Sequence, residues 1–255
     1  MPKNFFATVI LPDQRVNVVS LYPYQVVPDQ WDDFCYEQSQ QDFPEFLKTF
    51  YRQPLADDQQ RVNTTEFVAI DIETTGMDAQ RDDIVSIGLV PFNMSRIFLA
   101  RAQYWVVRSR RLTSSSVVVH RITHSDVADA PSLRSILPKV AEQLQGRQVV
   151  VHYRYMEREF FRSAIAGLFG ANWLFPVVDT LELESHYLRR ERSLLAKWLQ
   201  KPLPSVRLPN ARERYHLPAY ENHNALVDAL ATAELLQAQI AKQHLSELPV
   251  RTLWC

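Results

Sequence analysis

Phe67-Val68-Ala69-Ile70-Asp71-Ile72-Glu73-Thr74-Thr75-Gly76 is the stretch on which the reading of this chain turns. Phe67 to Ile70 is a short apolar run of the kind that fills a buried strand, and it ends in Asp71. Side chains alternate across a strand, so Asp71 and Glu73, at i and i+2, point the same way. Two carboxylates on one side of a strand end repel each other and resist desolvation unless a cation lies between them. Thr74, Thr75 and Gly76 then offer hydroxyls and a flexible turn where the chain leaves the sheet. A bare Asp-x-Glu is usually an ordinary acidic strand end; the apolar run before this one and the second strand after it make it far more specific.

Working outward, Ile84 to Val90 follows an Asp-rich turn as a second strand, and Ile97 to Val107 supplies a third. Tight connections between successive strands imply antiparallel pairing. Leu133, Ile136, Leu137, Val140, Ala141 and Leu144 share a helical face that starts near Pro131 and ends at Gly146; Pro138 inside it predicts a kink or a delayed start. Gln148 to Val151 is a fourth strand, followed by a helix from about Met156 to Leu168. Val177-Val178-Asp179 is a short fifth strand running into another helix. A basic, proline-containing connection over 201–218 leads to a last helix with Leu226, Ala229, Leu230, Ala233, Leu236 and Ile240 as its apolar stripe. The order βββαβαβα predicts an α/β protein, a mixed five-stranded sheet flanked by helices, and it resembles the order of a ribonuclease H-like fold.

Residues 1–62 read as a small helical N-terminal extension, 63–245 as the main domain and 246–255 as a C-terminal tail. Phe43, Phe46, Leu47, Phe50 and Tyr51 repeat with helical spacing, with Pro44 suited to the first turn, and Asp57 to Gln60 reads as a linker. Such a helix packs on the main domain or docks a protein partner; in the second case removing 1–62 abolishes partner binding and leaves hydrolysis intact. The chain has 255 residues, 46% of them apolar, which supports a sizeable core and excludes a disordered chain. Cys35 and Cys255 are the only cysteines, too few for a disulfide framework or a cysteine zinc site. The apolar run 5–11 is too short to span a membrane, and a cytoplasmic location is the default expectation. Net charge is −1, which argues against coating nucleic acid by bulk attraction. Residues 185–215 nevertheless gather Arg189, Arg190, Arg192, Lys197, Lys201, Arg207, Arg212 and Arg214, which serve as a solvated helical face or as a track for phosphates.

The last helix opens with His223-Asn224-Ala225-Leu226-Val227-Asp228-Ala229. An acid in a first helical turn is commonly a partner of the helix dipole, and a histidine before it is commonly a surface residue or a cap. Beside a metal carboxylate, however, His223 is a candidate general base, because imidazole titrates near working pH. Asp71-Ile-Glu-Thr-Thr-Gly76 and His223-Asn-Ala-Leu-Val-Asp228 together resemble the first and third motifs of the DEDD exonucleases in their histidine-bearing branch, which includes the proofreading epsilon subunit of bacterial DNA polymerase III and RNase T. The resemblance spans about 64–243. Val119-His120-Arg121-Ile122-Thr123 resembles the family's Val-His-Gly-Ile-Thr segment with Arg121 in place of glycine, and Asp179-Thr180 matches a recurring helix cap. The middle motif departs: where the family has His-Asn-Ala-x-Phe-Asp, this chain has His152-Tyr153-Arg154-Tyr155-Met156-Glu157. Glu157 falls on the aspartate and carries its carboxylate roughly 1.5 Å further out; Glu159 is the neighbouring option.

The resemblance implies a 3′→5′ exonuclease that uses two Mg²⁺ or Mn²⁺ ions, DNA favoured, and releases nucleoside 5′-monophosphates from a free single-stranded 3′ end. It implies Asp71, Glu73, Glu157 and Asp228 as metal and catalytic residues, with Asp71 bridging, and His223 as the base. Thr74, Thr75, Gly76, His120, Thr123, Tyr153 and Arg154 are then the substrate-binding candidates, Tyr153 and Arg154 as stacking and phosphate contacts. Other readings are an enzyme acting on RNA or short oligonucleotides, a catalytically weak subunit that binds nucleic acid or a polymerase, and a structural domain of a larger complex.

Overall fold

The computed structural model describes residues 30–54, 60–109, 127–192, 199, 202–221 and 223–255, and the backbone of 6–11 and 14–19. The N-terminal part begins with a hairpin of β1 (Phe6–Leu11) and β2 (Gln14–Val19), which the sequence reading did not anticipate. Two helices follow, α1 (Trp31–Ser39) and α2 (Glu45–Arg52), the second with Pro44 in the N-cap position. Leu47 and Tyr51 of α2 and Cys35 of α1 are buried in the main core. Phe50 packs edge-on against Trp173 and Phe175, and the Tyr51 hydroxyl accepts from Leu174 N–H at 2.9 Å. Burial of a side chain such as Leu47 contributes about 1.5–3 kcal/mol, so α2 cannot be removed as a detachable docking module without opening this core.

The main sheet contains β3 (Phe67–Thr74), β4 (Ile84–Phe92), β5 (Gln103–Val106), β6 (Gln148–Val151) and β7 (Val177–Asp179), in the order β5-β4-β3-β6-β7. β4 runs antiparallel to β3 and β5, whereas β6 is parallel to β3 and β7 parallel to β6. The helices are α3 (Leu133–Leu144), α4 (Tyr155–Phe169), α5 (Thr180–Glu191), α6 (Leu208–Arg214) and α7 (Ala225–Gln243). The third strand is shorter than expected. Asn93 Oδ1 accepts from Ser95 and Arg96 N–H in a turn, Ile97 makes one bridge to Phe92, and a 3₁₀ turn over Leu99–Arg101 intervenes. α3 is capped by Ser132 and continues through Pro138. The 246–255 segment is packed: Val250 and Leu253 are buried, and Val250 N–H donates to Gln60 C=O at 2.8 Å.

Alternation along β3 splits the core in two. Val68, Ile70 and Ile72 face α2, α3 and α4, meeting Leu47, Ile136, Leu137, Val140, Phe160 and Phe161. Phe67 and Ala69 face the other way, onto Ala229, Ala233, Leu236 and Ile240 of α7. The period of two therefore delivers Asp71 and Glu73 to the α7 side. On β4, Gly88 lies opposite Asp71. A Cβ added at Gly88 would stand 2.3 Å from the Ala225 carbonyl carbon and oxygen, so only glycine lets the first turn of α7 touch the sheet there. Gly167, inside α4, has open space around it. Opposite outcomes are therefore expected in urea denaturation: Gly88→Ala loses about 1–3 kcal/mol through overpacking, whereas Gly167→Ala gains about 0.5–1 kcal/mol of helix propensity. Equal effects at the two positions would remove the close approach at Gly88 from the argument.

Candidate active site

The structure brings Asp71, Glu73 and Asp228 together: one carboxylate oxygen from each lies within 4.8 Å of the others. Asp71 and Glu73 come from the end of β3 and Asp228 from the first turn of α7. Asn224 caps that helix, its Oδ1 accepting from Leu226 and Val227 N–H at 3.1 and 3.2 Å. His223, one residue earlier, is exposed and adopts φ +70°, and its backbone N–H donates to Asp228 Oδ2 at 2.8 Å. That bond orients the Asp228 carboxylate.

Glu157 sits in the first turn of α4 and is buried; its Oε2 has no hydrogen-bond partner among the described residues. Its charge bears on Asp71, and the charges of Asp179 and Glu73 bear on it in turn. Glu159, two residues on, instead pairs with Arg162 at 2.6 Å. Asp179 organises the approach to α4. It caps α5 by accepting from Leu181 N–H, and it also accepts from Tyr153 N–H at 3.0 Å and Arg154 N–H at 2.9 Å. The turn it grips places Tyr153 at φ +90°, a conformation that costs a non-glycine residue strain and recurs at functional sites.

Burial raises the pKa of Asp71 well above its ordinary value, and the charges of Glu157, Asp228 and Glu73 push it the same way. Glu157 is raised by burial first, then by Asp179 and Glu73. Burial lifts Asp228 from 3.8 to about 6, with the His223 N–H opposing and the Glu73 charge adding to the rise. Clustered buried carboxylates that disfavour one another's charge, one with an orphaned oxygen, suit hard divalent cations, which take oxygen ligands.

The other expected contacts divide. Thr74 Oγ1 donates to Gly76 C=O at 2.6 Å, and Thr75 Oγ1 donates to Asp82 Oδ1 while accepting from Asp83 N–H, so both hydroxyls are engaged in closing the loop after β3. A Cβ on Gly76 would collide with the Asp82 carboxylate at 2.4 Å. Tyr153 lies beside the half-exposed Tyr155, with ring centroids 6.1 Å apart. His120 and Thr123 lie outside the described residues. Arg154 is 2% exposed and ion-paired with Glu182, and its own N–H, like that of Tyr153, donates to Asp179. The basic segment 185–215 is also reduced as a phosphate track. Arg212 is bound to Glu234, Ala231 C=O and Pro218 C=O, and Arg214 to the buried Glu184 at 2.9 Å. Gly88 and the double role of Asp179 escaped the sequence reading; a lone glycine inside a largely apolar strand was the available signal for the first.

A family model described as Exonuclease (RNase T) matches residues 68–236. Over 188 residues the chain is 30% identical to the DNA polymerase III PolC-type of Caldanaerobacter subterraneus subsp. tengcongensis, covering 74% of this chain but only 12% of that protein. The structure of Exonuclease X in complex with 5′ overhanging duplex DNA superposes with a TM-score of 0.52 at 22% identity, over 73% of this chain and 99% of that one. The nuclease domain of 3′hExo, a DEDDh family member bound to rAMP, gives a TM-score of 0.56 at 14% identity, over 75% and 97%. These two likenesses concern the fold.

The raised carboxylates make stability depend on pH in a definite direction. A folded-state pKa above the unfolded one contributes stability below the unfolded value and loses it as pH rises through the folded value. For Asp228 that window runs from 3.8 to about 6. Scanning calorimetry in a chelator is expected to show the wild-type melting temperature falling relative to Asp228→Asn across that window. Added Mg²⁺ or Mn²⁺ should reverse the fall, binding more tightly as pH rises. Parallel profiles for the two proteins, with and without cation, would contradict this electrostatic reading.

Proposed function

The chain belongs to the RNase T-type family of DEDD exonucleases, and from that membership we propose that it is a metal-dependent 3′→5′ exonuclease acting on a single-stranded 3′ end, with DNA as the favoured substrate. The observation that carries the reading is the meeting of Asp71, Glu73 and Asp228 within 4.8 Å, with the Glu157 charge bearing on Asp71. The chain spans only 12% of its PolC-type relative, so activity on DNA is proposed for this chain and not carried over from that protein.

Asp71, Glu73 and Asp228, whose oxygens lie within 4.8 Å of one another, would hold the cations, with Glu157, buried nearby with an unpartnered Oε2, as the fourth carboxylate. Two Mg²⁺ or Mn²⁺ ions supply neutralisation of phosphate charge, activation of water and stabilisation of the leaving oxygen. The chain's own contribution is to keep these carboxylates convergent and ionised once a cation offsets their repulsion. The exposed His223 ring takes the proton from the attacking water at a nitrogen that can pass it on to solvent. Attack on the terminal phosphodiester then releases a nucleoside 5′-monophosphate and leaves a new 3′-hydroxyl.

Labelled single-stranded DNA, duplex DNA and RNA, each with Mg²⁺ or Mn²⁺, test the proposal. The wild type should shorten single-stranded DNA from its 3′ end, Asp71→Ala should be inactive, and His223→Ala should lose about 10²–10⁴-fold in kcat. Glu157→Gln should be nearly inactive while Glu159→Gln remains active. Wild type and Asp71→Ala behaving alike on every substrate would refute the catalytic reading; RNA cut in preference to DNA would move the substrate assignment alone.

A further inference from the structure

Between Asp83 and Asp126 the chain carries no acidic residue, yet it contains Arg96, Arg101, Arg108, Arg110, Arg111 and Arg121. The described part of this stretch includes the connection from β4 to β5. There Arg96 and Arg101 both stack on Phe98, their guanidinium carbons 4.6 and 4.8 Å from the ring centroid. Both arginines are exposed, and neither makes an ion pair among the described residues. The contrast with Arg212 and Arg214, which are held by Glu234 and Glu184, is direct. One aromatic ring thus holds two cations close together in solvent. Stacking restricts their rotamers in advance, so less side-chain entropy is lost when an anion arrives.

Two independent rulers place this patch relative to the carboxylates. Along the sheet, Phe98 N–H donates to Pro91 C=O at 2.9 Å, and Pro91 is three residues from Gly88, the partner of Asp71; that is about 10 Å of strand. Along α7, Gln237 Nε2 donates to Asn93 C=O at 2.7 Å, in the turn just before Arg96. Gln237 is nine residues after Asp228, or about 13 Å of helix. Both paths stop short of the guanidinium groups themselves and put the patch at about 10 Å or more from the carboxylates. At ~3.4 Å per phosphate along a stacked strand, the interval corresponds to about three or four phosphates.

We infer that Arg96 and Arg101, held by Phe98, form a second binding site for the phosphate backbone of the strand whose 3′ end occupies the carboxylate cluster, so that the enzyme prefers strands longer than about four nucleotides. This rests on the exonuclease reading for the identity of the strand, and on the patch itself for the anion chemistry. Planar guanidinium groups match phosphate oxygens and read no base, which suits an enzyme that must accept any sequence.

The test compares wild type, Arg96→Ala/Arg101→Ala and Arg96→Lys/Arg101→Lys on a dinucleotide and on a single-stranded 12-mer. For the 12-mer, the alanine variant should raise KM about tenfold at ~0.15 M salt, and the slope of log affinity against log salt should become less steep by about 1.4, two phosphates at ~0.7 each. The dinucleotide should be cut with unchanged kcat/KM, and the lysine variant should keep most of the salt slope. Melting temperatures check that the exposed substitutions leave the fold intact. An alanine variant with the wild-type slope and wild-type KM on the 12-mer overturns the site. So does polyglutamate competing as well as the oligonucleotide, which would make the patch a site for acidic protein. Binding of the 12-mer to Asp71→Ala, with and without the two arginines, decides the inference even if no hydrolysis is found, and so separates its failure from that of the exonuclease reading.

Discussion

Mutual repulsion among carboxylates is the constraint around which this molecule is arranged. At an effective dielectric constant of ~20, two unit charges at the 4.8 Å limit that encloses Asp71, Glu73 and Asp228 oppose each other by roughly 3 kcal/mol, and burial adds to the cost. Folding has to hold such groups together with interactions made elsewhere. The apolar faces of β3 do so on both sides of the sheet, against α2, α3 and α4 on one face and α7 on the other. Helix polarity helps at two of the four positions. Glu157 and Asp228 each occupy the first turn of a helix, where the partial positive end of the macrodipole favours a carboxylate by about 0.3–1 kcal/mol. Neither contribution cancels the cost, and the raised pKa of Asp71 and Asp228, from burial first and neighbouring carboxylates second, records what is left over.

How much of this could be read from the sequence follows from which interactions are local. Asp71 and Glu73 were legible because strand alternation is local and the apolar run before them is unmistakable. Asp228 and His223 were legible through a motif at the head of a strongly apolar helix. The order of strands and helices followed from periodicity, with the third strand overextended because the Asn93 turn and the 3₁₀ turn at Leu99–Arg101 interrupt it. What stayed hidden depends on partners far apart in the chain. Gly88 matters only because Ala225 comes to rest on it. Arg154 looked like a phosphate contact until Glu182, on the next helix, took its guanidinium. Within 185–215, likewise, Glu184 and Glu234 hold Arg214 and Arg212, two of its eight basic residues. A charge count cannot tell a solvated cation from one already neutralised inside the fold.

Glu157 stands apart from the three clustered carboxylates, in the first turn of α4. A glutamate at 157 carries its oxygens further from the backbone than an aspartate would, so the start of α4 has to be placed with that length in view. Asp179 sets this placement. It fastens the backbone at Tyr153 and Arg154 while capping α5, and the buried Arg154–Glu182 pair anchors the same turn from behind. Tyr153 is left at φ +90°, a strain on the order of 1–3 kcal/mol that the surrounding bonds sustain. A chain free to relax this turn would give up the strain and the bonds from Tyr153 and Arg154 to Asp179.

The distribution of arginine follows from the same economy of charge. Acids that are buried for structural reasons demand buried partners, and Arg154, Arg212 and Arg214 meet that demand on the side of the fold formed by α5, α6 and α7. Cations spent in this way contribute no field to solvent. A chain of net charge −1 that handles a polyanion must therefore keep some arginine where no acid can neutralise it. The stretch between Asp83 and Asp126 meets that condition by carrying no acidic residue, and Phe98 stacks two of its guanidinium groups that have no carboxylate partner among the described residues. An aromatic ring does here what an ion pair does elsewhere in the molecule, with the difference that the positive charge remains available to a phosphate.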